Sequence, residues 1–212
     1  MFINALERDI CNHTSSMTSS PPTDKPVVSE QYQDISLLYR FLAQCLKFPE
    51  QSWFTEEFKA MFFSMLDQLE AGAERDDLKT CINESDDPIE ALQIEYTRLF
   101  INGVPHVVAP PYGSVYLDKS LQGIHASKTL AYYREKGCDM AEGSDLPDHI
   151  VHQLEFLSHV AEDGDLDGEK EFLQNYFLTW FPDFKDRVLS EAHHPFYRLV
   201  ITMIDYFTKE EE

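Results

Sequence analysis

Basic residues, glycine and paired cysteines are scarce in this 212-residue chain, and each shortage removes a class of protein. Lys and Arg number 17 against 38 Asp and Glu, a formal charge of −21 with histidines neutral. So negative a surface repels phosphate backbones and anionic bilayers, which argues against nucleic-acid binding and against membrane association. It attracts a basic peptide or a basic protein segment. Only 8 glycines are present, too few for the turns of a sheet-rich fold. The four cysteines, Cys11, Cys45, Cys81 and Cys138, stand singly, without a CxxC or CxH pair. Neither a zinc knuckle nor a thioredoxin-like pair is encoded, and free thiols suit a reducing compartment. No apolar run approaches the roughly 20 residues that span a bilayer. Acidic Glu7 and Asp9 stand where a secretory signal would be basic, so no membrane insertion and a cytoplasmic location are expected.

Catalytic patterns are missing as well. The chain has no GxSxG, P-loop, GxGxxG or HExxH, and no catalytic cysteine–histidine signature. The expectation is a binding protein, with no catalytic residue, no metal and no cofactor.

What is present is helical periodicity. Residues 1–29 include HTSSMTSSPPTDKP, a Ser/Thr/Pro tract expected as a mobile tail, with a short helix near Phe2–Ile10. From Glu30, Ile35, Leu38, Tyr39, Leu42 and Leu46 recur at helical spacing until Pro49. Further helices are predicted from about Ser52 to Leu66, over Asp76–Ile82, and from Asp87-Pro88, a capping residue followed by a first-turn proline. Ile101–Ser114 breaks the pattern with three prolines and two glycines among apolar residues, as in a loop that covers or lines something. Helix resumes over Ser127–Lys136 and stops at Gly137. It returns from Leu146-Pro147-Asp148 to about Asp163, then over Gly168–Thr179, Pro182–Ala192 and Pro195–Lys209. The fold class expected is all-α, a helical bundle of two subdomains. The larger spans 30–137 and the smaller 147–212, joined by a short hinge at 138–146.

Two constellations invite a metal reading. Asp148, His152, Glu155 and His159 share one stripe of a helix. Acid–histidine pairs at i,i+4 are also the ordinary decoration of a solvated face, which is the expectation here. Asp163–Gly168 copies the first half of a calcium loop, but Gln174 stands where a bidentate glutamate belongs. An acidic turn in which Asp167 caps the next helix is the simpler reading. His149, Gln153 and Phe156 lie at the border of the polar stripe, where a side chain can face a groove.

Three strings carry a family resemblance. EYTRLFINGVPHVVAPPYGSVY (Glu95–Tyr116), LPDHIVHQLEFL (Leu146–Leu157) and WFPDFKDRVLSEAHHPFYRLV (Trp180–Val200) resemble, in order and separation, the signatures of the TorD-like (TorD/DmsD) redox-enzyme maturation chaperones. The resemblance implies an all-helical chaperone that binds the twin-arginine leader, the apo catalytic subunit, or both, of a molybdopterin oxidoreductase. Such a chaperone assists cofactor insertion and delays export. It assigns leader binding to Asp148 and His149 and to Pro110, Pro111, Tyr112, Ser114 and Tyr116; Gln153 and Phe156, from their place at the border of the stripe, and Tyr96, Leu99 and Phe100 of the first string are further candidates for the same site. It also implies weak guanine-nucleotide binding and either a monomer or a domain-swapped dimer, neither of which any residue pattern here encodes. Gly113 and Gln153 depart from the family, which often has glutamate at both. An assembly factor of the nitrate-reductase type, gripping the enzyme body, is the alternative; a metal-binding helical protein is the remoter one.

Overall fold

The computed structural model describes residues 30–103 and 106–209. The expected tail and its helix near Phe2–Ile10 lie outside the described residues. Ten α-helices occur among those described, with no strand and one isolated bridge. They are α1 (Glu30–Cys45), α2 (Glu56–Gln68), α3 (Gly72–Glu84), α4 (Pro88–Tyr96), α5 (Gly113–Leu117), α6 (Ile124–Glu135), α7 (Ile150–Glu162), α8 (Leu166–Phe172), α9 (Phe181–Glu191) and α10 (Pro195–Thr208). The all-α expectation holds. α4 and α8 each run on into a π-helical turn, Thr97–Ile101 and Leu173–Phe177.

Local chemistry sets many of these limits. Thr55 accepts from the Phe58 amide and starts α2 a few residues later than the periodicity suggested. Asp87 accepts from the Ile89 and Glu90 amides with Pro88 in the first turn of α4, as expected. Gly137 closes α6 at φ +81°, a conformation that costs other residues strain.

The chain divides into two compact units on different lines from those drawn on the sequence. One contains the described residues up to Leu46 together with Pro111–Pro182; the other contains Lys47–Pro110 and the described residues from Asp183 onward. The 138–146 stretch, expected as the hinge, therefore lies inside the first unit. The Cys138 amide donates to the Tyr133 carbonyl, and the Tyr133 hydroxyl donates to the Pro147 carbonyl, so both ends of the stretch are tied to the same ring-bearing residue.

In the first unit α1 lies along α7. Ser36 and Ser158 hydroxyls meet at 3.0 Å, Arg40 donates to Ser158 and pairs with Glu162, and the Tyr39 hydroxyl donates to Glu169 at 2.7 Å. Leu42, Leu154, Phe156, Leu157 and Phe172 fill the space around them. Each such side chain removed from water stabilises by roughly 1.5–3 kcal/mol. In the second unit an aromatic file from α2 (Phe58 and Phe62) packs on Phe196 of α10, with Phe62 and Phe196 stacked at 5.0 Å. Tyr197 of α10 donates to the Leu92 carbonyl of α4 at 2.9 Å.

Candidate functional site: a bridge between two loops

The apolar Pro-rich segment and the segment before α7 meet backbone to backbone. The Gly113 amide donates to the Asp148 carbonyl at 3.0 Å and the Ile150 amide to the Pro111 carbonyl at 2.9 Å, an isolated antiparallel bridge that pairs Tyr112 with His149. Their rings meet edge to face, centroids 4.9 Å apart. Two residues 37 positions apart in sequence thus become neighbours, both in the first unit.

Asp148 is fully buried. α5 begins at Tyr112, whose side chain does not cap it, and Asp148 Oδ2 serves instead, accepting from the Ser114 amide at 2.6 Å. A carboxylate over the start of a helix is well placed electrostatically. Its other oxygen, Oδ1, is buried without a hydrogen-bond partner among the described residues, as are Ser114 Oγ, His125 Nε2 and Gln153 Nε2. Unpaired buried polar atoms are uncommon in folded proteins and cost about 1–3 kcal/mol each.

His149, not Asp148, caps α7: its Nδ1 accepts from the Val151 amide at 3.2 Å. The proton of the neutral ring is therefore on Nε2. Burial, and secondarily the nearby His152, push the His149 pKa down to about 4, against the pull of Asp145 and Glu155. His149 is an uncharged ring at neutral pH. Gln153 Oε1 accepts from the Trp180 indole at 3.0 Å, and Trp180 lies against Tyr116, centroids 5.6 Å apart.

Gly113 is the tight point. A Cβ there would come within 2.6 Å of the His125 ring and 3.0 Å of Trp180 Cδ1. His125 of α6 occupies the volume a side chain at 113 needs. Burial lowers the His125 pKa, opposed by Asp148 and Asp118.

At the surface the bridge carries Tyr112, half-buried, whose hydroxyl donates to Asp145 Oδ2 at 2.9 Å; Asp145 is exposed. Asp145, His125 and Trp180 were not among the residues singled out from sequence. Asp145 sat in a stretch read as a linker, and nothing local links His125 or Trp180 to residue 113.

The other expected site residues divide. Pro111, Ser114, Tyr116, Gln153 and Phe156 join Asp148 and His149 in the first unit, all buried. Tyr96, Leu99, Phe100 and Pro110 belong to the second unit. Tyr96, Leu99 and Phe100 are core there, Phe100 lying 5.1 Å from Tyr96, 5.5 Å from Tyr197 and 6.0 Å from Phe184 between ring centroids. The polar residues Glu95 and Arg98 of the first string are bonded within the same unit. Buried Glu95 takes both forks of Arg98 at 2.8 and 2.9 Å and the His193 and His194 amides at 2.5 and 3.2 Å. Burial raises the Glu95 pKa, but these bonds outweigh it and hold the carboxyl below the usual range.

The stripe read as solvated is not. Asp148 and His152 are buried, and His152 Nδ1 lies 3.2 Å from Glu155. The helix that carries them is covered on most sides, ten of its thirteen residues being buried, which an i,i+4 pattern alone does not disclose. No group of three or more His, Cys, Asp or Glu able to hold a metal occurs among the described residues. In the acidic turn Asp165 rather than Asp167 caps α8, accepting from the Gly168 amide while its second oxygen pairs with Lys136 at 2.6 Å. Among the described residues no helix is long and apolar enough to cross a membrane.

Comparison with known proteins decides the family. The model of the nitrate reductase delta subunit family matches residues 66–186, more than half of the chain. This chain belongs to that family, and it is TorD-like. It is 33% identical over 113 residues to the Tat proofreading chaperone DmsD of Salmonella typhi, covering 51% of this chain and 54% of that protein. The match thus spans about half the length of that relative. It is 27% identical to the chaperone protein TorD of Vibrio vulnificus over 62% of this chain and 67% of that one. With TorD of Actinobacillus succinogenes it is 24% identical over 94% and 95% of the two chains. These relatives are named as chaperones, not as enzymes. A crystal structure described as a redox enzyme maturation protein from Archaeoglobus fulgidus shares the fold, with a TM-score of 0.55, 23% identity, and 84% and 95% of the two chains covered.

Proposed function

We propose that this TorD-like chain is a redox-enzyme maturation chaperone that recognises the twin-arginine leader of a molybdopterin oxidoreductase. It holds the apo enzyme back from export while the cofactor is inserted. The observation that carries this reading is the Tyr112–His149 bridge, which joins an aromatic ring and the exposed Asp145 carboxylate to the buried, half-paired Asp148. A guanidinium keeps its charge, wants a planar acceptor and stacks on aromatic rings. Asp145 is the acceptor and Tyr112 the ring. Asp148 adjoins His149 of the same bridge, and its Oδ1 has no hydrogen-bond partner among the described residues. His149, neutral at working pH, adds no opposing charge.

Such a leader is disordered when free, so ordering it costs part of the interaction energy and micromolar affinity is expected. Calorimetric titration with a synthetic peptide, an Arg-Arg pair followed by an apolar stretch, tests the reading. Binding should weaken about tenfold or more when the pair becomes Gln-Gln, and again as salt rises. Equal affinity for the two peptides at all ionic strengths would remove it. The match to the nitrate reductase delta subunit model favours a second reading, a grip on the enzyme body. Capture of a client whose leader has been deleted would support that one.

A further inference from the structure

The second unit has a groove of its own, between α2 and α3. α2 sorts its side chains by face: Phe58, Phe62 and Leu66 are buried, while Lys59 and Phe63, one turn apart, are half-buried on another side. Near the turn that joins the two helices, Arg75 pairs with Asp67. Farther from that turn, Lys59 and Phe63 line an open groove of about 280 Å³ together with Lys79, Ile82 and Asn83 of α3. The Lys79 ammonium lies 5.0 Å from the centre of the Phe63 ring. It has no carboxylate partner among the described residues; Asp76, one turn back, is engaged by Arg75 at 3.0 Å. Lys59 pairs with Glu56, whose side chain is 87% exposed. So exposed an ion pair is weak and yields readily to another carboxylate. In a chain of 38 acidic and 17 basic residues, two ammonium groups against one carboxylate on a partly aromatic recess reverse the local sign.

We infer that this groove docks a short acidic and apolar segment of a protein partner. One carboxylate of the segment meets Lys79 and Lys59, and a neighbouring apolar side chain lies against Phe63 and Ile82. Charge and size both support it. Pockets that enclose a free small molecule run to about 300–1,000 Å³. At about 280 Å³ and open to water, this one suits one or two side chains presented by a larger body. The occupant is not a second copy, which would bring its whole charge of −21, whereas a short segment brings one or two charges. At physiological salt the chain's overall field fades within about 8 Å, so the lysines in contact decide. The site is independent of the leader and of the bridge that reads it.

The test titrates the full chain, at physiological ionic strength, with the end-blocked peptide Gly-Leu-Glu-Phe-Glu-Gly and its Gln and Lys counterparts, followed by amide resonances. The acidic peptide should move Phe63, Lys79, Ile82 and Asn83 and bind about three- to fivefold tighter than the Gln peptide. Lys79→Glu should abolish that preference and turn it towards the Lys peptide, and Phe63→Ser should weaken the acidic peptide about threefold. If Lys79→Glu fails to fold, Lys79→Gln should bring the acidic and Gln peptides level. Equal binding of those two peptides by the unaltered chain overturns the proposal, as do resonance shifts confined to residues outside the groove. Phenylacetate binding as tightly as the acidic peptide would make the ligand a free small molecule. Self-association abolished by Lys79→Glu would make it a second copy. Either result overturns the docked segment.

Discussion

Each unit contains a buried carboxylate beside a histidine-capped helix, and the two differ in one respect. In the second unit His194 caps α10, its Nδ1 accepting from Phe196 at 3.2 Å, while Glu95 has both oxygens engaged by Arg98 and two backbone amides. In the first, His149 caps α7 with the same geometry, but Asp148 uses one oxygen on Ser114 and leaves the other without a partner among the described residues. A saturated carboxylate fixes a loop to a helix and is complete. A half-paired one keeps an acceptor oxygen that no described residue uses, and on the proposed function it is the first site that recognises and the second that only holds structure.

The largest effect should come from breaking the saturated site. Glu95→Ala strands the Arg98 guanidinium and two amides, and urea unfolding should register a loss of about 3–4 kcal/mol. Peptide affinity per folded molecule should be unaltered. If affinity fell and stability did not, the roles of the two carboxylates would be reversed.

Acid should come next. His149 takes up a proton near pH 6.5 when unfolded but only near pH 4 when folded. Between those values the unfolded state binds more protons, so stability falls as pH drops from about 6.5 to 4 and is fully present above that window. The decline attributable to this group is on the order of 3 kcal/mol. His194 is shifted the same way, by burial against the pull of Glu95. His149→Asn keeps a capping acceptor and should flatten part of the melting-temperature decline. An unchanged pH profile would mean that His149 charges freely in the fold.

Smaller is the strain at the tight point. Gly113→Ala should cost about 2 kcal/mol through the contact with His125, and His125→Ala in the same chain should recover most of it. Additive losses in the double variant would show that Trp180, not His125, sets the limit.

How much of this was legible beforehand follows the range of the signals. The Asp87-Pro88 start, the Gly137 stop and the spans of α7 and α10 rest on contacts within a turn or two of helix, and periodicity and capping residues report those. The strings that carry the family likeness were also plain. What escaped was set by partners far along the chain. Asp148 reads as a helix start, yet it caps a different helix 34 residues earlier. His152 reads as solvated until the helix around it proves covered. A polar, glycine-containing stretch at 138–146 reads as a hinge, while the boundaries of the compact units fall at Leu46, Pro110 and Pro182, and which distant segments join into one unit is not written in local composition. Glu95 and Arg98 belong to the first family string, and their hold on the segment before α10 is set by partners nearly a hundred residues further on.

The most direct test is Asp148→Asn, titrated with the Arg-Arg peptide and unfolded in urea. The amide oxygen can still accept from Ser114, so stability should stay within about 1 kcal/mol while affinity falls about tenfold. A variant that is clearly destabilised yet binds the peptide as tightly as before would make Asp148 a cap and nothing more.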